Sequence, residues 1–443
     1  MKSRTRLILP ALALGLSVCC RSTMASGADA APARAIGAHR IRGAHNVFPR
    51  PEKVEAWLRV SGEIPAGASA GQVRSAVQRF NRRLQADGDG WISREVRDRA
   101  LAREKEFARE TRAAKAASKS IPVSCAIFAL AVDFGGSDTY GYRLADNTLA
   151  YTNTSGPLKG LIPKPGSNDN ATIWYEPAQT ADAAFYERLI FGYLGVGRIR
   201  MDLTDPYDGL PGINLEGYTV QDYYDHAAGS NSVALSGSVQ GWVRVDHSEG
   251  YYGADNYYTG AHYGGAEVNG TNIPAAQLVE DALAKFMAEH PGYYNETGTN
   301  AFWKKYDGNE DGIVDTCWII HAGTGQESGG GAQGDFAIWS HSSDMRNNER
   351  WPAGFKVYEG DPATTNDDIY AAPYTMQPEN LDLGVLTEEF AHNFFGLPDL
   401  YTVDLENSIG FWSHLAGGSW TGPLPGSVPV SLCLWLKIMA QTS

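Results

Sequence analysis

Hydrophobic and polar positions change texture twice along the chain. Leu7–Val18 is a nearly unbroken apolar run behind Lys2, Arg4 and Arg6, and "ADA" follows at 28–30. A basic start, a short apolar stretch and a small-residue cleavage site predict an export signal, too short to span a bilayer. Charged residues dominate from 31 to 120, and the spacing over 71–118 predicts two charged helices around an Asp-Gly turn. After 120 the apolar residues gather into short runs. "IPVSCAIFALAVDF" at 121–134, "VQGWVRV" at 239–245 and "IVDTCWII" at 313–320 predict strands, and 275–289 and 383–395 carry helical spacing. The mixture predicts an α+β domain at 121–443, with a helical leader at 31–120 and a signal at 1–30. No fixed-period repeat is present.

The stretch 385–404, "VLTEEFAHNFFGLPDLYTVD", carries the densest chemistry. Leu383, Leu386, Phe390, Phe394 and Leu397 form one apolar stripe. Glu388 and His392 are four residues apart and share a face, so a carboxylate and an imidazole can converge on one cation. Glu389 stands beside them as a candidate to activate water. Gly396 and Pro398 predict the helix end, and the chain reversal could return Asp399 to the same cation.

"YDGNEDGIVD" at 306–315 places Asp307, Asn309, Asp311 and Asp315 at positions 1, 3, 5 and 9 of a calcium loop. Gly312 falls at the sharp turn, and the twelfth-position Glu is absent. A plain Asp/Asn/Gly turn is the alternative. "DGDGWIS" at 87–93 has Gln85 and Val96 at the end-ligand positions, which predicts a turn rather than an ion site. His321 and His341, each beside an apolar run, are candidates to line a cleft or to supply a missing metal ligand. Cys125 and Cys317 sit in apolar runs and are expected to be buried thiols.

Charge is unevenly divided: 31–120 holds 19 Lys/Arg and 10 Asp/Glu, net +9, and 121–443 holds 14 and 40, net −26. The split predicts electrostatic docking of leader on body and argues against nucleic-acid binding by the body. A salt-adapted or calcium-rich surface would also be acidic. The Gly-rich runs lack the context of a phosphate loop, and "GSVQGW" is no nucleophile elbow.

Together these stretches, with "DYYDHAAGSNSVALSGSVQGWVRV" at 222–245, "IIHAGTGQE", "FAIWSH", "YTMQPEN", "FWSHLAGGSW" and "LWLKI", resemble the secreted immune inhibitor A-like metallopeptidases over about 300 residues. The resemblance implies a zincin fold with a mixed sheet and an active-site helix, and an exported zymogen with catalytic zinc and bound calcium. It implies His392 and Asp399 as zinc ligands, Glu389 as general base, and Glu388 at the place of the first His. Proteins or peptides are then the expected substrates and the leader an intramolecular partner, with no nucleic acid and no membrane after export. The chain departs from the pattern at Glu388, at the three residues between His392 and Gly396 where two are usual, and at Leu415 where Met is usual. It also stops six residues after Lys437, which reads as a truncation. A catalytically silent, calcium-stabilised binding protein on the same scaffold is the alternative.

Overall fold

The computed structural model describes residues 123–442 apart from 167, 228–232, 259–264, 296–300, 361–366 and 401–408. Ahead of these it describes 34–35, 45–46 and parts of 55–77. The export signal, the 87–93 turn and most of the expected leader helices lie outside the described residues.

The 121–134 run becomes the central strand of the fold. Seven strands form one sheet: β1 (Arg34–Ala35), β2 (His45–Asn46), β3 (Val123–Phe134), β4 (Val233–Val245), β5 (Thr316–His321), β6 (His341–Asp344) and β7 (Pro373–Pro378). Their order is β4-β3-β5-β7-β6-β2, with β1 beside the first two residues of β3. β4, β3, β5 and β7 run parallel, whereas β6 is antiparallel to β7 and β2 antiparallel to β6. A mixed sheet was expected, and the parallel centre explains the unbroken apolar composition of β3. Strands buried on both faces have no polar side to alternate with.

Successive β3 side chains enter opposite cores. Phe128, Leu130, Val132 and Phe134 join Leu283, Phe286, Trp303 and Tyr306 on one face. Cys125, Ile127, Ala129 and Ala131 join Leu386, Phe390 and Phe394 on the other. The helices that cover the sheet are α1 (Ala183–Ile190), α2 (Val220–Ala227), α3 (Ala276–Glu289), α4 (Leu383–Phe395) and α5 (Leu434–Thr442). Cys125 and Cys317 are buried free thiols, as expected. No helix among the described residues is long and apolar enough to cross a membrane.

Residues of the 31–120 stretch contribute apolar packing to the body. Leu58, Ile64 and Ala76 are buried in the Phe128 core. Burying an aliphatic side chain contributes about 1.5–3 kcal/mol, more than an exposed ion pair supplies.

Candidate metal centre

β7 delivers the chain to α4, and Asp382 caps that helix by accepting the Val385 N–H at 2.7 Å. Gly396 ends it at φ 64°, the left-handed conformation that glycine adopts without a Cβ penalty. The apolar stripe is buried, as the spacing predicts. The opposite side is buried too: Glu388, Glu389 and His392 are each 0 % exposed. A helix with one apolar stripe thus lies entirely inside the protein.

Glu388, His392 and Asp399 offer ligand atoms that all lie within 4.8 Å of one another. The longer interval before Gly396 does not displace Asp399. Residues 393–395 complete α4, and the chain then reverses at Gly396, with Leu397 N–H donating to Ala391 O. Asp399 Oδ1 comes to 3.0 Å from His392 Nε2. His392 Nδ1 lies 2.6 Å from Leu397 O. A carbonyl only accepts, so Nδ1 carries the proton and Nε2 presents its lone pair to the cluster.

All four carboxylate oxygens of Glu388 and Glu389 are buried without a hydrogen-bond partner. Burial, then Asp399, drives the Glu388 carboxyl well above the usual range. Ser419 eases it only in part, since its hydroxyl donates to Ala416 O at 3.0 Å. Burial, then Glu388 and Asp399, raises Glu389 likewise. Two adjacent buried carboxylates without donors are unfavourable unless they are protonated or face a cation. Two carboxylates and one imidazole nitrogen therefore fit a divalent metal ion of the zinc type.

Beneath the helix, Leu415 fills the position where the resemblance led to Met and is buried in the Phe390 core. Its neighbour His414 is buried against Tyr223, with ring centroids 4.9 Å apart. Burial and His392 hold the His414 imidazole down at about 3, a neutral group. Sequence reasoning passed over His414, although "WSHLAGG" displays it.

His321 and His341 are both 0 % exposed, so neither lines a cleft open to solvent. They occupy the end of β5 and the start of β6 because the sheet carries them inside. His321 Nδ1 lies 3.3 Å from Glu249 Oε1, and burial lowers His341 to about 4. Glu327, also missed, is buried and receives Ser340 N–H at 3.0 Å and its hydroxyl at 2.9 Å. The Glu327 charge adds to the repulsion that raises Glu388 and Glu389.

The 307–315 segment forms a sharp turn, with Gly312 at φ 83°. Asp307 receives the Asp311 and Gly312 N–H groups at 2.9 Å each, and Asn309 Nδ2 donates to Asp311 Oδ2 at 2.9 Å. Asp315 ties the turn to β3 through Ala126 N–H at 2.8 Å. Among the described residues, Glu388, His392 and Asp399 are the one group of three His, Cys, Asp or Glu residues gathered this closely. Asp307, Asp311 and Asp315 share the turn without that convergence.

Burial, with neighbouring carboxylates, raises Asp307 to about 6 and Asp315 to about 7. An acid raised from 3.8 to about 7 on folding keeps its proton in the native state while the unfolded chain has lost it. The contribution of Asp315 to stability without calcium is therefore fully present below pH 4 and is lost as the pH rises through about 7. If the turn takes calcium, millimolar Ca²⁺ at pH 7.5 should raise the Tm by several degrees, and Asp311→Ala should remove most of that rise. An equal rise in the variant, followed by scanning calorimetry, would leave the segment a turn only.

Residues 165–443 match the family described as immune inhibitor A peptidase M6, catalytic domain. A pre-pro-metalloprotease PrtV of Vibrio cholerae is 31 % identical over 257 residues, covering 55 % of this chain and 26 % of that protein. Immune inhibitor A of Bacillus thuringiensis is 32 % identical over 257 residues, covering 56 % and 33 %. The chain thus spans about a quarter to a third of the length of these curated relatives.

Proposed function

This chain belongs to the immune inhibitor A peptidase M6 family, and on that premise we propose an exported, zinc-dependent endopeptidase made as a zymogen. The observation that carries the reading is the convergence of Glu388, His392 and Asp399 beside four unpartnered carboxylate oxygens. Glu388, His392 and Asp399 would hold the ion. When bound, zinc supplies Lewis-acid polarisation of a carbonyl and makes water easier to deprotonate.

Glu389 does the proton work. Its carboxylate accepts a proton from the attacking water and passes it to the leaving amine. Its two carboxylate oxygens have no hydrogen-bond partner in the structure, so both are available to a water beside the ion. The Leu397 carbonyl keeps His392 in the tautomer that presents Nε2. Export follows from the Leu7–Val18 run, and the zymogen reading draws on the basic leader and the acidic body. A structural role for calcium at 307–315 belongs to the same reading.

One observation favours the silent scaffold instead. Glu388 puts a second carboxylate where two imidazoles would leave the ion more of its charge, and anionic ligands weaken the pull on substrate and water. Zinc content decides between the two. The purified chain, dialysed free of excess metal, is expected to retain one zinc per molecule by atomic absorption and to hydrolyse casein. Metal-free protein that stays inactive on zinc addition would favour the binding protein.

A further inference from the structure

We propose that Ser419 is the positioning residue for Glu388: its hydroxyl donates to the Glu388 oxygen that does not hold the ion. The inference deepens the peptidase reading and rests on it.

The need comes from the ligand itself. Both Glu388 oxygens are buried without a hydrogen-bond partner. A carboxylate that binds an ion through one oxygen leaves the other inside the protein, where an acceptor without a donor is costly. Burial, then Asp399, raise the Glu388 carboxyl, and the Ser419 hydroxyl lowers it.

The fold places Ser419 where it can meet that need. It is 1 % exposed and lies on the 417–420 turn, which packs against α4. Gly384 marks the contact, because a Cβ there would collide with the Ser419 carbonyl oxygen. Gly384 and Glu388 are four residues apart, so Ser419 stands over the helix face that carries Glu388.

The hydroxyl hydrogen can also change acceptors at little cost. It is donated to Ala416 O at 3.0 Å, and the Ser419 N–H donates to the same carbonyl at 3.3 Å. That carbonyl therefore keeps a donor when the hydroxyl turns toward Glu388. The neighbouring tyrosines lack this latitude. Tyr223 OH donates to Val430 O at 3.0 Å and Tyr224 OH to Thr387 O at 2.5 Å, each at the end of a buried ring.

A hydrogen bond to an ionised carboxylate is roughly twice as strong as a neutral one. It holds Glu388 in its ligating orientation. It also takes up part of the carboxylate's charge, so the ion keeps more of its own for substrate and water.

The test reads zinc affinity in full-length protein, by competition against a fluorescent chelator, and needs no hydrolysis. Ser419→Ala should weaken zinc binding about 10–100-fold, the usual cost of losing a hydrogen bond to a ligand. The metal-free Tm should move by less than about 2 °C. In a Glu388→Ala background the same substitution should change zinc affinity less than about two-fold, because the oxygen it serves is gone. Unchanged affinity in Ser419→Ala would overturn the assignment. An equal loss in both backgrounds, or a larger fall in the metal-free Tm, would overturn it too, since Ser419 would then act through the fold. A parent protein that binds no zinc would instead overturn the peptidase reading, and this inference with it.

Discussion

Glu389→Gln should lower casein hydrolysis by about 10²–10⁴-fold, the usual contribution of a general acid–base group, while the zinc content stays at one per chain. Glutamine keeps the volume and shape of the side chain but cannot accept the proton. The substitution also removes one of two adjacent buried carboxylates that have no donors. The metal-free variant should therefore melt no lower than the parent, because a desolvated charge or a strongly raised carboxyl is lost. Zinc content and Tm together separate loss of the base from loss of the site. Activity that persists in a folded, zinc-loaded variant would rule Glu389 out as the base.

Glu388→His should bind zinc at least about ten-fold more tightly than the parent, a difference of ~1.4 kcal/mol, and should hydrolyse peptides faster at neutral pH. Glu388 is 0 % exposed and belongs to the cluster with His392 and Asp399. A histidine there starts from the same Cβ and restores two imidazoles four residues apart. It removes one anionic ligand, so the ion retains more charge for substrate and water. It also relieves the repulsion that Glu388 exerts on Glu389. Competition titration against a fluorescent zinc chelator measures the change. Equal affinities in the two proteins would mean that Glu388 does not ligate the ion.

Local spacing determined a good deal of this protein. The α4 boundaries 383–395 follow from the apolar stripe and the glycine at 396, and the helix occupies those residues. The 275–289 expectation starts one residue before α3. The 313–320 strand expectation begins early, because 313–315 are spent on the Asp311–Asp315 turn before β5 opens at Thr316. The i, i+4 relation of Glu388 and His392 was legible because helix geometry alone sets it.

Other features depended on partners far away in the chain. Periodicity describes a helix with one buried face, yet the 417–420 turn, some thirty residues further on, also packs against α4, and Glu388, Glu389 and His392 are buried as well. The return of Asp399 to His392 rests on one left-handed residue and the packing of Leu397. Glu249 meets His321 across 72 residues of sequence because β5 ends where the 249–253 helix begins. The seating of His45–Asn46 on β6 spans almost 300 residues, and main-chain pairing leaves no side-chain pattern for a sequence to display. Spacing within one element is dictated by covalent geometry and can be read along the chain. Convergence between elements is set by which surfaces bury each other, and that exists only once the sheet and both its cores have formed.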